Sequence, residues 1–188
     1  MLNASPTRVK RLLLSTVMLA YGAVALPAAT LERLSLDDLI GKSTMIVRGK
    51  ILNSYTATSG PVIYTHYRIQ PSETLKGPTN GVVEIQLPGG TAGNLRQTFA
   101  GVPQFQAGDE YVFFLWTGRS GSTQVLGLTQ GLFSIVPGGG KDPLTTRAAS
   151  HEAMLDRGTG KQVKDQTLSM HLSELRARIQ SGARGAGK

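Results

Sequence analysis

Apolar residues change period several times along this chain, and each change marks an element. From Leu34 to Lys42 they recur at helical spacing, with Leu36, Leu39 and Ile40 on one face. Ser35 stands where it can cap that short helix, and Asp38 three residues later completes a capping box. Thr44 to Leu52 is rich in β-branched residues and predicts a first strand in which Gly49 marks a bend or bulge. Past the turn Thr58-Ser59-Gly60-Pro61, the residues Ile63, Thr65, Tyr67 and Ile69 alternate with Tyr64, His66 and Arg68, the pattern of a half-buried strand. Glu73-Thr74-Leu75 reads as its continuation across a kink at Pro71, and Lys76-Gly77-Pro78 ends it. Val82 to Leu87 predicts a third strand, and Tyr111 to Trp116 the most apolar one, at the centre of the core. Gln124 to Thr129 and Leu132 to Val136 form a further pair around Gln130-Gly131. Between them, Thr91 to Gly108 is a glycine-rich loop that holds a short strand within Asn94 to Phe99.

Many short strands with no helical crossovers predict a mainly β fold, a small sandwich or partly open barrel behind one short N-terminal helix. The barrel domain is placed at 26–137. After Pro137-Gly138-Gly139-Gly140 the pattern weakens, and 138–166 reads as a flexible linker. Leu168, Leu172, Leu175 and Ile179 then recur at helical spacing and predict a C-terminal helix over 167–182. Arg176 and Arg178 suit its C-terminal dipole, Gly182 stops it, and 183–188 is expected to be a disordered tail. The helix is expected to pack on the barrel or on a partner.

The first 25 residues have a different pattern. Arg8, Lys10 and Arg11 precede an apolar run from Leu12 through Ala20, and Ala23-Val24-Ala25 supplies the small side chains that signal peptidase accepts. Residues 1–25 therefore read as a signal peptide cut after Ala25, with Ala28 and Ala29 as nearby alternatives. The run is too short for a spanning helix, which needs about 20 apolar residues, and no second one follows. The expected location is exported, either periplasm or extracellular. An exported chain without cysteine has no disulfide framework, no thiolate metal site and no cysteine nucleophile.

The net charge of +8 suggests nucleic acid until it is apportioned. Three basic residues lie in the leader, and residues 26–140 hold eight Lys or Arg against seven Asp or Glu. A near-neutral domain offers no footprint for a phosphate backbone, so no nucleic-acid partner is expected.

Candidate chemistry is sparse. Gly41-Lys42-Ser43-Thr44 resembles the end of a phosphate loop but closes a helix instead of opening one, and reads as a C-cap. His66, His151 and His171 have no metal-ligand spacing, so no metal or cofactor is expected. Gly118-Arg119-Ser120-Gly121-Ser122 misses the nucleophile-elbow pattern at its last position. Asp109-Glu110 reads as a turn entering a strand. An enzyme is not expected, and would require two or more of Asp109, Glu110, Glu84 and His66 to meet in one pocket. Trp116, Phe113 and Phe114 read as core, and Phe99 and Phe105 as exposed. The glycines of Pro88-Gly89-Gly90-Thr91-Ala92-Gly93-Asn94 serve a tight turn or let backbone approach a ligand. The binding candidates are therefore Gly89, Gly90, Gly93, Arg96, Phe99 and Phe105.

The run Ser43 to Lys50, the strand with Tyr64 and Tyr67, the end Thr74-Leu75-Lys76-Gly77, and Gly108 to Leu115 together resemble the netrin-like module, which includes the tissue inhibitors of metalloproteinases. Tyr64-Thr65, Lys76-Gly77, Pro88-Gly89-Gly90 and Gln130-Gly131-Leu132-Phe133 are also similar to landmarks of uncharacterised secreted bacterial proteins. The resemblance spans roughly Leu34 to Val136 and implies a five-stranded OB-like barrel. The inhibitors' N-terminal cysteine is absent, so their zinc chemistry does not carry over. The expected function is an exported, non-enzymatic binding module for another exported protein or an envelope component, with protease binding or inhibition as its narrower form. The alternative is a structural component of the cell envelope that docks through its C-terminal helix.

Overall fold

The computed structural model describes residues 30–136 and 141–185. The signal-peptide expectation, Ala23 and Ala25 included, lies outside the described residues. In chain order the elements are β1 (Thr30–Glu32), α1 (Leu36–Lys42), β2 (Met45–Ser59), β3 (Val62–Lys76), β4 (Val83–Pro88), β5 (Gly90–Ala92) and β6 (Leu95–Gln97). There follow β7 (Glu110–Thr117), β8 (Thr123–Val125), a 3-10 turn at Leu128–Gly131, β9 (Leu132–Ile135) and β10 (Leu144–Arg147). The chain ends in β11 (Ala153–Leu155), β12 (Gln162–Val163), β13 (Leu168–His171) and α2 (Leu172–Gly185).

The fold is mainly β, with one short helix early and one at the C-terminus. The spine is the hairpin of β2 and β3, which pair along their whole length; the register shifts at Arg48/Gly49, where Gly49 faces Pro71. Proline cannot donate to a ladder, so the bulge lets the strand run on through Pro71 as the sequence predicts. Eight strands form one sheet in the order β13, β10, β9, β7, β2, β3, β4, with β8 also on β7. The sheet curls until β4 comes alongside β8, but no ladder joins them, so it does not close into a barrel.

Around β7 both faces of this sheet are buried. One carries Val47, Ile51, Tyr67, Ile69, Ile85, Phe113 and Leu115. The other carries Ile46, Val112, Phe114 and Phe133, and is covered by Leu36, Leu39 and Ile40 of α1 and Leu172, Leu175 and Ile179 of α2. A strand buried on both faces loses its alternation, which is why Tyr111 to Leu115 reads as an unbroken apolar run. Each α2 aliphatic removed from water contributes about 1.5–3 kcal/mol. Polar ties fix the helices to the same hairpin. Arg176 Nε and Nη2 donate to the two carboxylate oxygens of Glu73 at 2.7 and 2.8 Å, and Lys76 Nζ donates to the Ile40 carbonyl at 2.6 Å.

Four expectations change. The segment read as a linker, 138–166, contains β10, which extends the main sheet, and β11, which pairs with β1 on one side and β12 on the other in a small separate sheet. Leu168 belongs to a strand, and α2 starts at Leu172, where the Asp142 carboxylate accepts from the Ser173 amide and hydroxyl at 2.9 and 2.7 Å. Gly182 does not stop α2, and 183–185 are helical; a Cβ at Gly182 would sit 2.8 Å from Ile40 Cγ2, so this glycine serves close packing on α1. Trp116 is 46% exposed, because it lies on β7 beyond the reach of α1 and α2.

Candidate functional site

The site is assembled by the return of the chain from β4. Pro88 ends β4, and Gly89 and Gly90 turn it with φ of 106° and 135°, a region that only glycine enters readily. Gly90 also lies against the hairpin, where a Cβ would be 2.6 Å from Thr65 Oγ1. Short polar contacts then hold the β5–β6 excursion in place. Thr65 Oγ1 donates to the Gly89 carbonyl at 2.8 Å and Thr56 Oγ1 to the Thr91 carbonyl at 2.8 Å. The Gln97 amide accepts from the Ile63 N–H at 2.7 Å and donates to the Pro61 carbonyl at 2.8 Å. Residues 98–109 cross back over the mouth of the curled sheet and are anchored by Phe105. Its ring meets Tyr67, Tyr111 and Phe113 edge-on, with centroids 5.0, 5.4 and 5.7 Å apart.

Two clefts lie on either side of this crossing and share Pro103 and Gln104 as a common wall. The smaller, about 210 Å³, is lined by Gly89, Gly90, Thr91, Arg96, Phe99 and neighbours. The larger, about 490 Å³, has the apolar surfaces of Phe105, Tyr111 and Leu132, the small side chains of Ala148 and Ala149, the hydroxyls of Ser134, Thr146 and Ser150, and His151 and Glu152. Burial, reinforced by the charge of Asp109, holds the Tyr111 phenol above its usual range, so it stays a neutral donor.

The sequence candidates divide accordingly. Gly89, Gly90, Arg96 and Phe99 meet in the smaller cleft, with Phe99 44% exposed. Phe105 is not exposed, at 8%; it lines the larger cleft from within the core. Gly93 sits at the β5–β6 turn with open space around it and lines neither cleft. The sequence pattern does not single out Ala148 to Glu152, because their small and polar side chains read as linker. Its proximity depends on β10 joining the sheet, and no local signal announces that.

A second cluster lies on the outer face of the hairpin. Tyr55 and His66 are cross-strand partners whose rings stack at 4.7 Å, and Glu84 Oε1 accepts from the Tyr55 hydroxyl at 2.9 Å and lies 3.2 Å from His66 Nδ1. His66 and Glu84 line a pocket of about 310 Å³ together with Ser120 and Ser122. They are two of the four groups whose meeting in one pocket the sequence sets as the requirement for an enzyme, and the fold brings them within hydrogen-bond reach. The two serine hydroxyls bond to each other at 3.3 Å, and neither reaches the imidazole. Asp109 and Glu110 point elsewhere: Asp109 Oδ2 accepts from the Gln106 N–H at 2.8 Å, and Glu110 pairs with Arg48 at 2.6 Å.

Among the described residues, no group of three His, Cys, Asp or Glu is placed to hold a metal ion, and no helix is long and apolar enough to cross a membrane. The chain matches no protein-family model, and no curated protein sequence matches it.

Proposed function

We propose that this chain is an exported binding module that captures a segment of another exported protein or an envelope component in the paired clefts. The observation that carries the proposal is the pair itself: an apolar cleft large enough for a side chain or two, beside a polar one that gathers four of the six sequence candidates. The crossing strip between them is held by Phe105 in the core, so the site is preorganised, which lowers the ordering cost of binding. Protease capture is the narrower form of the same proposal.

The test is affinity capture by the mature chain from secreted and envelope fractions, alongside Ala148→Trp, which fills the larger cleft, and Phe99→Ala. A partner held by the parent and lost from both variants supports the reading. A partner held equally by all three sinks it. Export is tested separately by N-terminal sequencing of the exported protein, with Leu26 as the expected first residue. A docking role through α2 must use the outer residues of that helix, since Leu172, Leu175 and Ile179 are buried against the sheet of the same molecule.

A hydrolytic reading is favoured by one observation, the His66 and Glu84 pair beside two serines. It requires a fluorophosphonate probe to label Ser120 or Ser122 in the parent and not in His66→Ala; an unlabelled parent removes it.

A further inference from the structure

We infer that the segment taken up by the paired clefts is an extended acidic peptide, with an apolar side chain in the larger cleft and a carboxylate on Arg96 in the smaller. This deepens the binding reading above and rests on it.

Charge is distributed unevenly across the site. Among the described residues, Arg96 is the one charged residue lining the smaller cleft. It is exposed, and among the described residues its side chain makes no ion pair or hydrogen bond. The Gln97 amide in the same cleft is already committed to Ile63 and Pro61, so the guanidinium is the cationic donor open to a ligand there. A guanidinium presents a planar fork that fits a carboxylate. The larger cleft has the opposite character, with an aromatic and aliphatic lining and Glu152 among its polar groups. A carboxylate is repelled from Glu152 and drawn to Arg96, so the charges fix which end of the peptide enters which cleft. The shared wall at Pro103 and Gln104 makes the two positions neighbours, close enough for a few residues of extended chain.

The probe is a random linear heptapeptide library displayed on phage and selected on the mature full chain, with enriched peptides then measured by fluorescence anisotropy. Circular dichroism confirms that each variant is folded. Enriched peptides should carry Asp or Glu at a fixed spacing from Leu, Phe or another large apolar residue. Their binding should disappear in Ala148→Trp, weaken about fivefold or more in Arg96→Glu, and weaken with added salt. Selection on Arg96→Glu should enrich Lys or Arg at the same spacing. Peptides that are blocked by Ala148→Trp but show no acidic preference, or acidic peptides indifferent to Arg96→Glu, overturn the inference while leaving cleft binding intact. A library that yields no cleft-dependent peptide also overturns it, and the capture experiment with natural partners then decides the binding reading alone.

Discussion

Gly131 and Gly41 show how differently one residue type can act in a single chain. A Cβ at Gly131 would stand 2.4 Å from the Leu126 carbonyl oxygen and 3.0 Å from that of Phe114, whereas a Cβ at Gly41 would meet nothing within 4 Å. Gly131→Ala should therefore cost about 1–3 kcal/mol through overpacking, and Gly41→Ala, inside α1, should gain roughly 0.5–1 kcal/mol. Urea unfolding of the two variants should move the midpoint in opposite directions. The neighbouring Gln130 is buried, and its amide accepts from the Leu34 N–H at 2.8 Å and donates to the Glu32 carbonyl at 3.0 Å, tying the link between β1 and α1 to the 3-10 turn. Arg147 and Asp165 form the most secluded ion pair among the described residues, with side chains 3% and 1% exposed and Nη2 2.7 Å from Oδ1. Burial lowers the Arg147 pKa, and its Nε has no partner. Removing one member strands the other, so Asp165→Ala should cost about 3–5 kcal/mol, while Arg147→Met with Asp165→Leu should recover most of it. A double-mutant cycle in urea checks this; equal losses in the single and double variants would disprove it.

At the scale of elements, α1 and α2 depend on carboxylates in similar ways. Asp38 is held below its ordinary value of 3.8 by hydrogen bonds from the Ser35 hydroxyl and amide, and Asp142 by the same two groups of Ser173. Both carboxylates bind protons more weakly folded than unfolded. Their contribution is thus complete above 3.8 and is lost as pH falls through their lowered folded values. Thermal melting should hold steady above about pH 4 and fall below it, and Asp38→Asn and Asp142→Asn should each flatten that acid limb. Ser35→Ala should cost about 1 kcal/mol at neutral pH. The cap of α1 was legible because Ser35 and Asp38 are three residues apart, and the β2–β3 hairpin because its alternation and its Gly60-Pro61 turn are local too. The start of α2 was not, since its cap, Asp142, lies 31 positions from Ser173. Nor was β10: Leu144-Thr145-Thr146-Arg147 is too short and polar to announce a strand, and it becomes one only between β9 and β13. Half of the candidate site inherits that blindness, because Ala148 to Glu152 follow β10 into place.

For the whole molecule, the decisive fact is one sheet with a core on each face. The outer core is closed by α2 and by strands that follow residue 140, so the C-terminal quarter is no appendage. A fragment ending at residue 140 should lack a cooperative urea transition, whereas the chain from Leu26 onward should unfold in a single step by fluorescence and circular dichroism. A sigmoidal transition in the fragment would show that the inner core suffices. The pinning of the N-terminal segment also imposes an order in time. Leu34 is fastened by Gln130, 96 positions later, and β1 pairs in parallel with Ala153 to Leu155. During synthesis the first part of the described fold to leave the ribosome is therefore among the last to be secured, waiting with its strand edge bare until nearly the entire chain has emerged.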